Sequence, residues 1–291
     1  MDNEKKMIED VALVMEGGGF RGCYTAGALQ WLHDHNIMFK YTVAISATAI
    51  HNFFYVTDNM DAMHEVAIKG AKDAHMVGIV PLFTEGALAG FNYIAEHYVM
   101  PYYSDCLNKL LESDIDYEVG MYNMTQQELQ YKSKYDLDPN AQLLKASCTL
   151  PISGRMTKVN GEKYLDGGID TMISTKRAQE KGYEKCLVIV TKDKNYVRKP
   201  NGPVTNAALK TFYHNYPQML ETLDHRVDAY YDQMGAVYEM EEKGTAILVR
   251  PTRDCGVGRF SGSEEQLEEM FQLGWDDMEE KKEEIFRFLG I

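Results

Sequence analysis

The chain has 291 residues, of which 45% are hydrophobic and 25% are charged, an ordinary globular composition. Its formal net charge of −14 and the lack of a dense Lys/Arg run argue against a nucleic-acid partner. The N-terminal segment MDNEKKMIED is polar, and no apolar run approaches the roughly 18 residues of a membrane span, so we expect a soluble chain without a signal peptide.

The five cysteines are far apart, odd in number and free of CxxC spacing; they lie at positions 23, 106, 148, 186 and 255. This pattern argues against both a disulfide framework and a zinc site. We therefore expect reduced thiols, a cytoplasmic location and no metal site.

The N-terminal part of the chain predicts a βαβα unit. VALVM (11–15) is typical of a buried strand, and it is followed by GGGFRG (17–22) and by a helix that ends near Asn36. A second strand, YTVAIS, stops at Ser46, and ATAIHNFFYV follows with helical spacing. Strand, turn, helix, strand, turn and helix predict a parallel sheet with helices on its faces.

The middle of the chain is predicted to mix helices and strands. Residues 58–112 look helical, with an apolar, glycine-containing interruption from Val77 to Phe91. DPNAQLLKASCTL predicts a helix with Asp138 as its N-cap and Pro139 at its first position. A hairpin is expected to turn at Asn160-Gly161. Further strands are predicted at 116–124, 186–191 and 246–251.

The C-terminal part is predicted to be mainly helical. Asn206 to Gly244 looks like long helices, and Ser263 to Leu289 predicts one or two acidic amphipathic helices. No repeat or low-complexity linker divides the chain, so we predict a single domain over 1–291. In that domain, 200–291 is a helical extension with one strand, 246–251.

The glycine turn after the first strand allows more than one use. Gly17, Gly19 and Gly22 match G-x-G-x-x-G, but no Asp or Glu lies between Lys40 and Thr57 to hold a ribose, and no Gly-Lys-Ser/Thr closes a Walker loop. The turn then either has no chemical role or presents its N–H groups to an oxyanion, helped by the helix that follows.

Ser46 closes a buried strand and opens a helix, which is the position of a nucleophile elbow. Serine is also a common helix N-cap, and position alone favours that simpler role. Asp166 in YLDGGID follows a short strand and is available to take a serine proton, although an aspartate before glycines is also common in turns. The glycine turn, Ser46 and Asp166 together are much rarer than any one of them.

These residues resemble the motifs of the patatin-like phospholipase family. That family has a G-G-G-x-R-G oxyanion loop, a G-x-S-x-G elbow and a D-G-G/A motif. The matching segments here are Gly17 to Gly22, Ala44 to Thr48, and Asp166-Gly167-Gly168. Together with KASCTLPI and the stretch after D-G-G, the similarity spans about residues 10–195, and the C-terminal part looks like bacterial members.

The resemblance implies a three-layer α/β/α fold around a central, mostly parallel sheet. It also implies a serine acyl hydrolase acting on lipid esters or phospholipids, with Ser46 as nucleophile, Asp166 as base and no cofactor. The residues it assigns to oxyanion or substrate binding are Gly17, Gly18, Gly19, Arg21, Gly22 and Ala47. The expected partner is a lipid or another acyl ester, reached through transient contact with a membrane surface.

The elbow departs from the family pattern because Ala44 and Thr48 replace its two glycines. Thr48 is β-branched, and overpacking of this kind typically costs about 1–3 kcal/mol. A displacement near 1 Å lowers catalysis about 10²-fold. The alternative to a hydrolase is therefore a catalytically impaired protein of the same fold with a binding or regulatory role.

Three further assignments stay open at the level of sequence. His214 or His225 completes a triad, or both are ordinary exposed helix residues. Arg21 stabilises the glycine loop or binds an anionic head group. The stretch from Val77 to Phe91 lines an acyl groove or forms a helix pair in the core.

Overall fold

The computed structural model describes residues 5–291; the first four residues of the polar N-terminal segment lie outside this range. The described range contains ten strands: β1 (Lys6–Ile8), β2 (Val11–Met15), β3 (Ile37–Phe39), β4 (Tyr41–Ile45), β5 (Asp116–Asn123), β6 (Glu128–Ser133), β7 (Thr157–Val159), β8 (Glu162–Asp166), β9 (Lys185–Ile189) and β10 (Ala246–Val249).

Thirteen α-helices lie between and after these strands in the same range. They are α1 (Gly22–Asp34), α2 (Ala47–Val56), α3 (Met60–Glu65), α4 (Ile79–Thr84), α5 (Phe91–Ile94), α6 (Met100–Glu112), α7 (Gln142–Cys148), α8 (Thr175–Glu180), α9 (Pro203–Phe212), α10 (Pro217–Asp224), α11 (Arg226–Glu242), α12 (Glu264–Glu280) and α13 (Lys282–Leu289). Wider π-helical turns extend α3 and join α5 to α6.

The main sheet has the order β10-β9-β2-β4-β5-β8-β7, with β6 paired to β5. The pairs from β10 to β5 are parallel, whereas β6, β7 and β8 pair antiparallel. The sheet is therefore mostly parallel, as predicted. β1 and β3 form a separate, two-stranded parallel sheet.

Helices cover both faces of the main sheet. Side chains alternate between the faces along a strand, so Leu13 and Met15 pack against α1, α2 and α12, while Ala12 and Val14 pack against α8 and α11. Burial on both faces is why β2 is a continuous apolar run. The structure thus confirms an α/β fold with helices on both sides of a central sheet.

Most predicted elements are present, with shifted ends. The hairpin turns at Asn160 and Gly161, both at positive φ, as an Asn-Gly turn requires. The helix expected to have Asp138 as its N-cap and Pro139 as its first residue instead starts at Gln142, although the Asp138 carboxylate does accept hydrogen bonds from the N–H groups of Gln142 and Leu143. The sequence prediction missed β1, β3 and β6.

The C-terminal helices pack against the N-terminal ones. A Cβ atom on Gly27 of α1 would overlap the backbone carbonyl of Phe271 in α12, and one on Gly274 would overlap the carbonyl of Tyr24. The Tyr24 hydroxyl also donates to Asp277 at 2.9 Å. These contacts join α12 of the C-terminal part closely to α1 of the N-terminal part, and the single domain over 1–291 stays a prediction.

Close packing of α1 on α12 predicts that Gly27→Ala is destabilising. The added methyl group forces the two helices apart, and overpacking of this kind typically costs about 1–3 kcal/mol. The control is Gly235→Ala in α11, where a Cβ would have no neighbour within 4 Å. There the higher helix propensity of alanine should raise the free energy of unfolding by as much as about 1 kcal/mol. Urea unfolding of the two variants measures both effects. An unchanged midpoint for Gly27→Ala would contradict the close approach.

Candidate active site

Ser46 occupies a strained turn between β4 and α2. Its backbone has φ 65° and ψ −140°, a conformation that is sparsely populated for a residue with a side chain and costs on the order of 1–3 kcal/mol. The turn lies at the carboxyl end of a central parallel strand, where open α/β sheets bind their ligands. The strain is that of a nucleophile elbow.

The structure brings Ser46 and Asp166 into direct contact. The Ser46 hydroxyl donates to Oδ2 of Asp166 at 2.6 Å, and the two residues are only 7% and 1% exposed. Oδ1 of Asp166 accepts the N–H of Gly168 at 2.7 Å. One carboxylate oxygen is thus held by the backbone and the other faces the serine.

The pairing of β5 explains why these two residues meet. Residues 118–123 of β5 pair with β6 along one edge, so β4 and β8 share the other edge. Ile45, the last residue of β4, lies opposite Gly120, and Asp166 lies opposite the next residue, Met121. Because the two strands end facing each other, Ser46 and Asp166 are adjacent although 120 positions separate them.

The first glycine after Asp166 is required by a close backbone contact, and the second lies close to the aspartate side chain. A Cβ on Gly167 would lie 2.5 Å from the carbonyl oxygen of Gly120 in β5, and one on Gly168 would lie 3.1 Å from Oδ1 of Asp166. Larger residues would push the aspartate turn away from the sheet. The D-G-G motif therefore sets the position of its carboxylate.

Burial raises the pKa of Asp166 above its ordinary value of 3.8. Hydrogen bonds from Ser46 and Gly168 and the charges of Arg226 and Arg259 oppose this effect without cancelling it. A carboxylate with a raised pKa is a stronger base at neutral pH than an exposed aspartate is.

The glycine turn packs directly on the elbow. A Cβ on Gly17 would lie 2.8 Å from Cβ of Ser46, and one on Gly18 would lie 2.7 Å from Oγ1 of Thr191. Gly19 has φ 60°, and a Cβ there would overlap the carbonyl of Arg259. All three positions therefore need glycine for steric reasons.

Several N–H groups near Ser46 have no protein acceptor. Within residues 5–291, the N–H groups of Gly18, Gly19 and Ala47 donate to no protein oxygen. Phe20, in contrast, donates to the Arg259 carbonyl at 2.9 Å, and the Gly22 N–H closes the turn onto Gly19 and Phe20. The loop thus presents free donors beside the serine while its end is fixed to the helix.

A buried ion pair holds the base of this loop. Glu16 is fully buried, accepts the Thr191 N–H at 2.8 Å and pairs with Lys192. The Lys192 ammonium also donates to the Gly17 carbonyl. These bonds tie the start of the glycine turn to the segment after β9.

Two clefts of different character meet at Ser46. The first is open to solvent, spans about 610 Å³ of empty space and is lined mainly by apolar side chains, among them Phe20, Ile50, Val66, Phe91, Ile94 and Phe260. The second, also open to solvent, spans about 390 Å³ and is lined by the glycine turn, Asp166 and the basic residues Arg21, Lys192, Arg198, Arg226 and Arg259. Gly19, Ser46 and Leu150 line both clefts.

The residues that replace the elbow glycines are accommodated. Ala44 and Thr48 are both fully buried, and the Thr48 hydroxyl donates to the Ile45 carbonyl at 2.8 Å. Thr48 therefore adds a hydrogen bond across the turn, and the turn still holds Ser46 against Asp166.

Histidine is not part of the Ser46–Asp166 contact. His214 and His225 are exposed, and the ring of His214 bonds the carbonyl of Thr211. His51, which the sequence prediction missed, is buried in the apolar cleft, and burial lowers its pKa to about 4. It is therefore neutral at pH 7.

The stretch from Val77 to Phe91 contributes little to the apolar cleft. Phe91 lines it, but Ile79, Leu82 and Phe83 are 69%, 48% and 82% exposed. Most of this stretch therefore neither lines an acyl groove nor packs as a helix pair in the core, which were the two predictions for it. No helix within residues 5–291 is long and apolar enough to cross a bilayer.

The basic residues of the second cleft, apart from Arg21, were also missed. Arg198, Arg226 and Arg259 lie far from Ser46 in sequence, and only the fold brings them to the serine. Arg21 lines the same cleft, with its guanidinium 5.6 Å from the Tyr196 ring centre.

Two protein-family models match parts of this chain. The model of the patatin-like phospholipase family matches residues 13–176, more than half of the chain, and a domain of unknown function (DUF6363) matches residues 216–290. "Uncharacterized protein YjjU" from Escherichia coli (strain K12) is 26% identical over 189 residues, which cover 62% of this chain and 52% of that protein. The chain thus spans about half the length of this curated relative.

A solved structure that covers nearly the whole chain is VipD from Legionella pneumophila. The match extends over 99% of this chain and 67% of that one, with 12% identity and a TM-score of 0.46.

The raised pKa of Asp166 predicts that Asp166→Asn is more stable than the wild type at pH 7. The native protein binds the Asp166 proton more tightly than the unfolded chain does, so its stability falls as pH rises from 3.8 through the raised pKa. The amide carries no charge and escapes this loss. Thermal melts at pH 7 and pH 4 should therefore show a gain at pH 7 that shrinks at pH 4.

The control for net charge is Asp105→Asn, on an exposed residue of α6. If Asp166→Asn is less stable than the wild type at pH 7, burial of the ionised Asp166 carboxylate does not lower the stability of the native protein.

Proposed function

Because this chain belongs to the patatin-like phospholipase family, we propose that it is a serine acyl hydrolase that cleaves lipid esters with Ser46 and Asp166. The observation that carries the proposal is the 2.6 Å hydrogen bond from Ser46 to a buried carboxylate, placed where an apolar and a basic cleft meet. A nucleophile bonded to its base is the arrangement that covalent acyl transfer needs.

In the proposed reaction, Oγ of Ser46 attacks the ester carbonyl carbon while Asp166 accepts the serine proton. The N–H groups of Gly18, Gly19 and Ala47 hold the oxyanion of the tetrahedral intermediate. Collapse of the intermediate expels the alcohol, which takes the proton from Asp166, and leaves an acyl group on Ser46. Water then attacks this acyl-enzyme while Asp166 accepts its proton, and collapse of the second intermediate breaks the bond to Oγ of Ser46. Asp166 returns the proton to Oγ, and the fatty acid is released.

The two clefts favour a bound ester whose acyl and alcohol portions lie on opposite sides of Ser46. The apolar cleft suits a fatty acyl chain, since burial of each CH₂ group contributes roughly 0.8 kcal/mol. The ester carbon then lies at the serine, and the alcohol portion extends into the basic cleft. A lipid or a related acyl ester is the partner that this shape favours.

The impaired-enzyme alternative depends on crowding by Thr48. Because the Thr48 hydroxyl bonds the Ile45 carbonyl and the serine–aspartate hydrogen bond is intact, the geometry favours the hydrolase over this alternative. A protein that only binds a ligand would show no turnover of any acyl ester.

The proposal predicts that Ser46→Ala and Asp166→Asn each lower hydrolysis of p-nitrophenyl octanoate by about 10³-fold or more, because each removes one member of the reacting pair. Ser104→Ala and Asp105→Asn, on exposed residues of α6, make the same chemical changes away from the site and should keep wild-type rates. Persistent turnover in both site variants, or none in the wild type, would refute the proposal.

A further inference from the structure

The basic cleft concentrates positive charge on one side of Ser46 in a protein whose net charge is −14. Five cationic side chains line it: Arg21, Lys192, Arg198, Arg226 and Arg259. The apolar cleft lies on the other side of the serine and is lined by no charged residue. The asymmetry means that the two ends of a bound ester meet opposite environments.

Two of the five cations already have protein partners. Lys192 pairs with Glu16, and Nε of Arg226 donates to the carbonyl of Gly168. The remaining carboxylate of the cleft, Asp166, is bonded by Ser46 and by the Gly168 N–H.

The other three cations, Arg21, Arg198 and Arg259, form no ion pair with a carboxylate among the described residues. Among residues 5–291, arginine–carboxylate ion pairs are made by Arg177 and Arg253, and none involves Arg21, Arg198 or Arg259. Arg198 is nevertheless only 7% exposed, with its guanidinium 4.8 Å from the centre of the Tyr230 ring. A buried, unpaired guanidinium is costly unless something else supplies the counter-charge.

The cations also repel one another. Burial lowers the pKa of Lys192 to about 8 against the attraction of Glu16, and Arg198 and Arg21 lower it further. Burial likewise lowers the pKa of Arg259, with Arg198 adding to the effect. Since this repulsion is present without a ligand, an anion that enters the cleft relieves it.

We propose that Arg21, Arg198 and Arg259 bind a phosphate group on the alcohol portion of the substrate and so select phosphate-bearing acyl esters without a cationic head group. Three guanidinium groups supply donors around a tetrahedral oxyanion, and guanidinium forks match phosphate oxygens in pairs. The inference rests on the proposed function of Ser46 and specifies its substrate class.

The same charges discriminate against zwitterionic esters. A quaternary ammonium group beside the phosphate would face the arginines, and no free carboxylate in the cleft offers it a partner, because Glu16 is fully buried and Asp166 is bonded to Ser46. Like charges brought together in a partly desolvated site are unfavourable. We therefore expect a preference for lysophosphatidic acid over lysophosphatidylcholine with the same acyl chain.

Binding is tested first, in the Ser46→Ala protein, so that turnover plays no part. Calorimetric titration should show that glycerol phosphate binds and that glycerol, which lacks the charge-assisted hydrogen bonds, binds at least about tenfold more weakly. Glycerophosphocholine should also bind more weakly than glycerol phosphate, because its ammonium group faces the arginines. Adding Arg198→Gln should weaken glycerol phosphate binding at least about tenfold. Arg259→Gln removes another cation that lines the cleft and gives the same test if Arg198→Gln fails to fold.

Lys199→Gln is the matched control, because it removes one positive charge from an exposed neighbour of Arg198. Equal weakening by Lys199→Gln and by the cleft variants would overturn the proposal, since net charge alone would then explain binding. So would equal affinity for glycerol phosphate and glycerol.

Turnover separates this inference from the function on which it rests. In the otherwise wild-type protein, kcat/KM for oleoyl lysophosphatidic acid relative to monoolein should fall at least about tenfold in Arg198→Gln. If neither ester is hydrolysed while Ser46→Ala still binds glycerol phosphate, the hydrolase proposal fails and the anion site stands. If both are hydrolysed at equal rates by the wild type, the selectivity proposed here is wrong.

Discussion

The hydrogen bond between Ser46 and Asp166 depends on the way two strands end against a third. Because β6 occupies one edge of β5, β4 and β8 must share the other, and their last residues lie opposite Gly120 and Met121. The absence of a side chain at Gly167 lets the chain after Asp166 approach the Gly120 carbonyl. The contact between Ser46 and Asp166 is thus a consequence of sheet register. The glycine turn packs against the elbow at Gly17, so its position depends on the same strand ends.

Burial of this pair has opposite effects on stability and on chemistry. Desolvation raises the pKa of Asp166, which disfavours the charged carboxylate in the native state and at the same time makes it a better proton acceptor. The φ of 65° at Ser46 adds backbone strain at the same point. Unfavourable terms that gather at one site persist only where the surrounding packing overcomes them, and α1, α2 and α12 supply that packing on one face of the sheet.

The sequence predicted the parts of the fold that local patterns determine. The apolar runs of β2, β4, β9 and β10, the Asn160-Gly161 hairpin and the helical C-terminal region follow from periodicity and turn chemistry. β6, with its intermediate burial, and the short β1 and β3 carry no such pattern and were missed. The serine and aspartate were found through their motifs, whereas Arg198, Arg226 and Arg259 converge only through long-range packing. Whether Thr48 crowds the elbow could be judged only from the structure, because its hydrogen bond to the Ile45 carbonyl cannot be inferred from the residue type alone.

A fluorophosphonate probe followed by peptide mapping shows whether Ser46 is a nucleophile that Asp166 activates. We expect one phosphonylated peptide, with the adduct on Ser46, and slow labelling of the Asp166→Asn protein at pH 7, because the amide cannot accept the serine proton. An adduct on another residue, no adduct in folded protein, or equal labelling rates with and without the carboxylate would contradict this prediction.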